Sequence, residues 1–194
     1  MADLLDLDPA RQDRLILVDA LDRPCGTATK EEAHRRALLH RALSVVLVRE
    51  GTDGPELLLS RRADGKYHSG GLWANSVCSH PRAGEDTPVA ARRRVVEELG
   101  CEVAGLHEIG AFCYRAVLEA GLTEFEYDHV FVGMHAGAIV PDPSEVSEVR
   151  WATADDVATR LAERPDEFCA WAPMVLSLAL AWLMRQPKGC PTAG

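Results

Sequence analysis

Short runs of β-branched residues and leucine, separated by turn-forming residues, occupy the first third of this chain. RLILVDA lies at 14–20, and two further runs lie at 42–50 and 56–62 on either side of the segment GTDGP at 51–55. Such runs are typical of strands, and the intervening segment predicts a hairpin. The chain must therefore build a sheet from residues close to its start.

Helical signals follow these strands. TPVAARRRVVEELG at 87–100 has threonine and proline at its start and glycine at its end, as helices commonly do. The order of elements predicts an α+β fold, with a mixed sheet and helices packed on it. Beyond 100 the predicted elements are strands at 101–118 and 124–139, a strand that turns into a helix at 147–163 through a Thr153 cap, and a last helix at 167–186.

Length and charge limit the possible functions. The chain has 194 residues, of which 47% are hydrophobic and 26% charged, so we expect one soluble globular domain over 1–194 with loose ends at 1–10 and 187–194. Its net charge of −9 argues against non-specific binding to nucleic acid or to an anionic membrane. The longest apolar run, at 171–184, is shorter than the roughly 20 residues of a membrane span. An anionic ligand would therefore need local cations.

The cysteines indicate a reducing compartment. No two of them form a C-x-x-C pair, and no basic-then-apolar signal peptide opens the chain. A cytoplasmic protein is therefore favoured over a disulfide framework. The six residues are Cys25, Cys78, Cys101, Cys113, Cys169 and Cys190.

The stretch NSVCSHP at 75–81 allows two interpretations. Cys78 precedes His80 by two residues, and Pro81 restricts the backbone directly afterwards. A lone cysteine is most often a small buried hydrophobe. The other interpretation is that the thiol has a chemical role.

The helix at 87–100 carries a second motif. SHPRAGEDTPVAARRRVVEELGC resembles the Nudix signature, a loop–helix–loop that holds divalent metal against a diphosphate. Six positions match in register, while Ser79 replaces the first glycine and Arg94 replaces the glutamate that helps the hydrolases hold metal and activate water. The resemblance implies a Nudix-like fold and argues against hydrolysis. The matching residues are Glu85, Arg93, Glu97, Glu98, Gly100 and Cys101.

Further motifs resemble the type I isopentenyl diphosphate isomerases over roughly residues 15–183. They are RRADGKYHSGGLWANSVCSHP at 61–81, FCYRA at 112–116, EFEYDHVF at 124–131 and FCAW at 168–171. That family interconverts isopentenyl and dimethylallyl diphosphate, the five-carbon units of isoprenoids. The resemblance therefore implies an enzyme that shifts a double bond by one carbon in a small diphosphate substrate.

The resemblance also implies the catalytic residues. Such a reaction adds a proton to one face of an alkene and removes another from the opposite face of the resulting cation. Cys78 matches the family's thiol, Glu126 its carboxylate and Tyr114 the tyrosine that supports this carboxylate. Trp171 matches the pocket tryptophan whose aromatic face stabilises the cation, although Ala170 replaces the usual preceding proline. Trp73 is expected in the core.

The resemblance also implies a metal site. Glu124 and Glu126 are two residues apart, so both side chains emerge from one face of a strand and repel each other without a cation. The family adds three histidines, which match His34, His40 and His80. Three imidazoles and two carboxylates suit manganese, zinc or iron better than calcium.

The remaining matches concern the diphosphate. Lys30, Arg62 and Lys66 match phosphate-binding cations, and Glu98 matches a residue that helps hold a magnesium ion on the diphosphate. Arg94 either contacts phosphate or pairs with Glu98 one helical turn later.

A Nudix diphosphate hydrolase and a non-catalytic diphosphate-binding module remain the alternatives to an isomerase. The sequence identifies neither the native metal nor the oligomeric state. Four histidines match no motif position and are assigned structural roles: His68, His107, His129 and His135.

Overall fold

The computed structural model describes residues 14–186, so the predicted loose ends at 1–10 and 187–194 lie outside the described residues. Within that part of the chain, nine strands form one mixed sheet and four α-helices pack on it, which confirms the α+β prediction. The strands are β1 (Arg14–Val18), β2 (Pro24–Thr29), β3 (His40–Gly51), β4 (Gly54–Arg62), β5 (Trp73–Ala74), β6 (Val77–Ser79), β7 (Ala104–Val117), β8 (Thr123–Met134) and β9 (Val146–Thr153); the helices are α1 (Lys30–Arg36), α2 (Thr87–Leu99), α3 (Ala154–Glu163) and α4 (Ala172–Arg185).

The centre of the sheet is the pair β3 and β8. These two strands run parallel, with His40 opposite Glu126 in the register. Strand β7 pairs antiparallel with the other edge of β8 and places Tyr114 opposite Glu126, while β6 pairs with β3 and places Cys78 opposite Ser44. Four strands therefore bring together side chains that are far apart in the sequence.

Local sequence explains where the helices begin and end. Thr29, Asp86 and Thr153 cap α1, α2 and α3, each accepting a hydrogen bond from a backbone N–H of the first turn. Gly100 ends α2 in the left-handed conformation, with φ of 61°. A Cβ atom at this position would lie 2.5 Å from the carbonyl oxygen of Val140, so only glycine fits.

Two predicted boundaries were wrong by five residues. The last helix begins at Ala172 rather than 167, because the backbone N–H of Cys169 donates to the Trp73 carbonyl and Phe168 lies beside β5. The strand predicted to end at 139 ends at Met134. Strand β2 and helix α1 were not predicted from the sequence.

Helices cover both faces of the sheet. Helix α2 buries Ala91, Val95 and Leu99 against one face, and α4 buries Val175 and Leu176 against the other. Trp73 is buried beside α4, as predicted. Among residues 14–186, none of the helices has the length and apolar character needed to cross a membrane.

Candidate active site

An inner cavity opens where the first halves of β3 and β8 meet β6 and β7. Its volume is small, about 30 Å³, and it opens into a wider cavity of about 540 Å³. Its walls carry a thiol, carboxylates, imidazoles and cations, a combination suited to moving protons on an anionic substrate. The lining residues are Lys30, Leu43, Ser44, Arg62, His68, Cys78, Ser79, His80, Tyr114, Glu124, Glu126 and Trp171.

The sulfur of Cys78 has three polar neighbours. The indole N–H of Trp171 donates to it at 2.7 Å, the Asn75 Oδ1 atom lies at 3.0 Å and the Ser44 hydroxyl at 3.8 Å. The Asn75 amide nitrogen donates to the carbonyl oxygens of Val45 and Val77 at 3.1 and 2.8 Å. The Asn75 oxygen is therefore fixed towards the sulfur, where it accepts the thiol proton.

These surroundings keep Cys78 protonated. Burial raises the pKa of the thiol well above its usual value, and the nearby Asp128 carboxyl raises it further. Asp128 is itself buried, which raises the pKa of its carboxyl well above the usual range, and its Oδ2 atom lies 2.8 Å from the Ser44 hydroxyl. The thiol, Ser44 and Asp128 thus form a buried polar group behind the cavity.

Strand β8 supplies the carboxylates. Residues of β8 alternate between buried and half-buried positions, and Glu124, Glu126 and Asp128 all lie on the buried face. The Tyr114 hydroxyl, from the neighbouring strand, lies 2.6 Å from Glu126 Oε2 and 3.1 Å from Glu124 Oε2. The tyrosine therefore bridges the two carboxyl groups.

The two carboxyl groups titrate in opposite directions. Burial, with the adjacent Glu126 charge, raises the pKa of Glu124 to about 9. Burial would also raise the pKa of Glu126, but the imidazoles of His40 and His80 outweigh it and hold this pKa well below its usual range. Between them the pair carries one negative charge at neutral pH in the metal-free protein.

Three imidazoles converge on Glu126. The ring centroids of His34, His40 and His80 lie 5.0–6.0 Å from one another. The Nε2 atoms of His80 and His40 lie 2.9 and 3.4 Å from Glu126 Oε1. Burial lowers the pKa of His80 to about 3 and also lowers that of His34, so both rings are neutral at pH 7.

The hydrogen bonds of these rings leave nitrogen lone pairs free for a metal. The Nδ1–H groups of His34 and His40 donate to the carbonyl oxygens of Lys30 and Leu38. Among residues 14–186, the buried Nε2 atoms of the same two rings have no hydrogen-bond partner. With His80 and Glu126 they form a group of donor atoms that all lie within 4.8 Å of one another, so these residues fit a divalent metal ion.

His68 also lines the cavity, although its sequence position gave it only a structural role. The ring is 3% exposed, and its Nε2 atom lies 3.4 Å from Glu124 Oε1. Burial and the neighbouring cations Arg62 and Lys30 lower its pKa to about 3. Of the other histidines left as structural, none lines this cavity.

A wider, basic cavity adjoins the inner one. The two share Lys30, Arg62, Cys78, Ser79 and His80. The Arg62 Nε–H group is buried, and no acceptor for it lies among the described residues. A buried donor without a partner is costly, so this group favours an anion at the junction of the cavities. Further cations of the wider cavity are Lys66, Arg82, Arg93 and Arg94.

Two of the predicted diphosphate residues are held by ion pairs. Lys66 contacts Glu145, and Arg94 lies 2.6 Å from Glu98 and 3.4 Å from Glu145. Of the two interpretations of Arg94 from the sequence, phosphate contact or an ion pair with Glu98, the structure shows the ion pair. Burial raises the pKa of Glu98 to about 7, although Arg94 opposes that rise. Glu98 lies beneath Arg94 and does not itself line either cavity.

The Nudix-like helix has few free carboxylates. Arg93 makes a two-bond ion pair with Glu85 at 2.7 Å and also binds Glu97 at 2.9 Å. Arg94, in the place of a hydrolase glutamate, binds Glu97 and Glu98. Arg94 therefore places a positive charge where the hydrolase signature has a carboxylate.

Besides His68, three site residues were missed in the sequence, although simple periodicity points to two of them. Asp128 continues the alternation of Glu124 and Glu126 along one strand face, and Ser44 lies four residues after His40 on the buried face of β3. Asn75 opens the NSVC motif, but nothing in the sequence shows that its side chain faces the thiol.

Comparisons with known proteins identify the relatives of this chain. The family model of the NUDIX domain matches residues 38–172. A protein of Photobacterium profundum called isopentenyl-diphosphate Delta-isomerase is 44% identical over 90% of this chain and 98% of its own length. A protein of the same name from Burkholderia multivorans is 44% identical over 82% of this chain and 89% of its own.

Solved structures share the fold at low identity. The protein DR0079 of Deinococcus radiodurans superposes with a TM-score of 0.69 at 20% identity, covering 84% of this chain and 97% of its own. A MutT NUDIX hydrolase of Burkholderia pseudomallei superposes with a TM-score of 0.57 at 17% identity, covering 72% of this chain and 97% of its own. The likeness to these structures concerns the fold, whereas the identity to the curated relatives is high and nearly full-length. The chain belongs to the isopentenyl-diphosphate Delta-isomerase family, within the NUDIX domain proteins.

Proposed function

We propose that this protein interconverts isopentenyl and dimethylallyl diphosphate. The observation that carries the proposal is one cavity lined by both Cys78 and Glu126 and joined to a basic cavity. The family relatives carry the name of this activity. The hydrolase alternative lacks a comparable observation, because Arg94 occupies the position of a metal-binding glutamate of its signature.

The chemistry requires one proton to be added and another removed, with no net change. A protonated thiol and an ionised carboxylate provide a donor and an acceptor at the same pH. In the reverse direction the two groups exchange roles. Tyr114 positions the Glu126 carboxylate through its 2.6 Å contact, and Asn75 and Trp171 position the Cys78 sulfur.

The intermediate cation needs stabilisation away from water. Trp171 lines the cavity, and an aromatic face stabilises a desolvated cation by about 2 kcal/mol. The Arg62 guanidinium already lies over this ring, 5.4 Å from its centroid. We therefore assign the hydrocarbon to the end of the joined cavities that Trp171 and Cys78 line, and the diphosphate to the side where Arg62, Lys30 and Lys66 lie.

Two metal ions fit this proposal. Manganese, zinc or iron, when bound by His34, His40, His80, Glu124 and Glu126, would neutralise the repulsion between the two carboxylates. Magnesium would accompany the diphosphate, with Glu98 released from Arg94 to help hold it. Lys30, whose ammonium lies 5.0 Å from the Tyr67 ring centroid, has no carboxylate partner among the described residues and is available to a phosphate oxygen.

The location proposed for this protein is the cytoplasm. Cys25, Cys78, Cys101, Cys113 and Cys169 are all free thiols in the part of the chain that the structure describes. Free thiols are typical of a reducing compartment.

The test is turnover of isopentenyl diphosphate with magnesium in deuterated water. Dimethylallyl diphosphate carrying solvent deuterium supports the isomerase, whereas released phosphate indicates a hydrolase, and binding without product a non-catalytic module. Cys78→Ala and Glu126→Gln should each lower turnover at least about a thousandfold while the circular dichroism spectrum stays unchanged, since acid–base groups contribute on that order. Cys113→Ala and Glu119→Gln, both at exposed positions, are the matched controls. Full activity in either active-site variant would refute its assignment.

A further inference from the structure

The donor atoms around the cavity form two groups rather than one. His34, His40, His80 and Glu126 make the first group, and His34, His68 and Glu124 make the second. In each group the ligand atoms lie within 4.8 Å of one another, and His34 belongs to both. The two groups are therefore neighbouring parts of one set of six donor residues.

His68 reaches this set from a different element than the other donors. It lies in the loop between β4 and β5, where it is 3% exposed. Its ring centroid lies 5.9 Å from that of His34 and 6.3 Å from the Trp171 ring. The Nε2 atom faces Glu124 Oε1 at 3.4 Å, and the Nδ1 atom lies 3.2 Å from the Ser69 hydroxyl, which can accept the Nδ1 proton. This arrangement leaves Nε2 as the metal-binding atom, as it is in His34 and His40.

We propose that His68 is a direct ligand of the divalent metal ion held by His34, His40, His80, Glu124 and Glu126. The inference rests on the metal site proposed above and adds a sixth protein donor to it. Glu124 needs such a partner most, because its carboxyl contacts only Tyr114 and His68 among the described polar groups. With His68 bound, both carboxylates have imidazoles beside them around one cation.

A sixth protein donor has a consequence for the reaction. Manganese and iron commonly take six ligands, so with either ion four imidazoles and two carboxylates would leave no position for water or substrate. The ion would then fix and charge-balance Glu126 without binding the alkene. Solvent would be kept away from the cation intermediate by the same crowding.

The deciding experiment counts the imidazoles on the metal in the wild-type protein. Pulsed electron paramagnetic resonance of the manganese-loaded protein, with histidine labelled with nitrogen-15, resolves nitrogens bonded directly to the ion. Four coordinated imidazoles are expected in the wild type and three in His68→Gln. Three in the wild type, or an unchanged number in the variant, would overturn the proposal, and because the first result uses the native chain it does not depend on folding of the variant.

Metal affinity provides the second measurement. Competition with a chelator should show manganese binding at least about tenfold weaker in His68→Gln than in the wild type, whereas the exposed His107→Gln keeps the wild-type affinity. The rise in melting temperature on adding manganese should shrink in the His68 variant while the metal-free melting temperatures agree. Unchanged affinity would count against His68, and two manganese ions per chain would show that the second donor group holds its own ion. If the wild type binds no manganese, the metal site itself fails, which is a different result from binding through three imidazoles.

Discussion

The indole nitrogen of Trp171 donates a hydrogen bond to the sulfur of Cys78 across 93 positions of sequence, at 2.7 Å. Trp171 therefore makes two contributions to the site, which substitutions can distinguish. Its N–H positions the thiol, and its ring lines the cavity beside Arg62.

Trp171→Phe separates these functions because phenylalanine keeps an aromatic face and lacks the N–H. We expect kcat to fall about tenfold, equivalent to one lost hydrogen bond of about 1.4 kcal/mol, with KM unchanged. Trp171→Ala should lose about a further 2 kcal/mol of cation stabilisation. Steady-state kinetics with isopentenyl diphosphate measures both, with Trp182→Phe on α4 as the control. Equal losses in the two Trp171 variants would mean that the ring contributes nothing beyond its N–H.

Asn75 links strands β3 and β6 at one point. It is fully buried, and its amide nitrogen donates to carbonyl oxygens on β3 and β6. Asn75→Ala removes both of these buried hydrogen bonds, so we expect the free energy of unfolding to fall by about 2–4 kcal/mol. Urea denaturation of the metal-free protein measures this, and Thr52→Ala, at an exposed turn, is the control. A loss below that of the control would show that water replaces the amide.

The sequence predicted those features that depend on local patterns. The strand runs, the Thr153 cap and the Gly100 terminus follow from residue types and spacing, and the structure confirms all three. The start of the last helix was wrong because Phe168 and Cys169 bind the backbone beside Trp73, a contact made by residues far apart in sequence. A helical pattern does not carry that information.

The same distinction applies to the site. Glu124 and Glu126 share a strand face for a reason that the sequence shows, and Asp128 extends the same alternation. His68 is different, because it lies in a loop whose path brings it to Glu124 without any periodic signal. The position of His68 could be found only from the three-dimensional structure, and the same is true of the orientation of Asn75 towards Cys78.

Metal binding should release a proton from Glu124. In the metal-free protein burial and Glu126 raise the pKa of this carboxyl to about 9, so it is protonated at pH 7, while His68 and His80 have pKa values of about 3 and carry no extra proton. A metal ligand must be deprotonated, so about one proton should be released per manganese ion at pH 7. Calorimetric titration in two buffers of different ionisation enthalpy measures that number.

Glu124→Gln is the matched variant for this measurement. It keeps the shape of the side chain and has no proton to release, so the dependence on buffer should largely disappear. Release of the same number of protons in both proteins would assign the proton to another group.

Glu98 should make the stability of the metal-free protein depend on pH. Burial raises the pKa of its carboxyl from 4.5 to about 7, so the folded protein binds this proton more tightly than the unfolded chain does. The resulting stabilisation is fully present below about pH 4.5 and is lost as pH rises through about 7, amounting to about 3 kcal/mol. Glu98→Gln removes this titration. The free energy of unfolding of the variant minus that of the wild type should therefore increase between pH 4.5 and 7 and stay level above about pH 8.

Chemical denaturation at a series of pH values tests this, with metal removed so that the site at Glu126 contributes equally to both proteins. Glu97→Gln is the matched control, since Glu97 is the exposed neighbour on the same turn of α2 and also binds Arg94. The test compares how the free energy of unfolding of the two variants changes with pH. Its absolute value is not diagnostic, because both substitutions disturb an ion pair with an arginine. If the Glu97 and Glu98 variants gave the same slope against pH, the dependence would come from the arginines of α2 and not from the buried carboxyl.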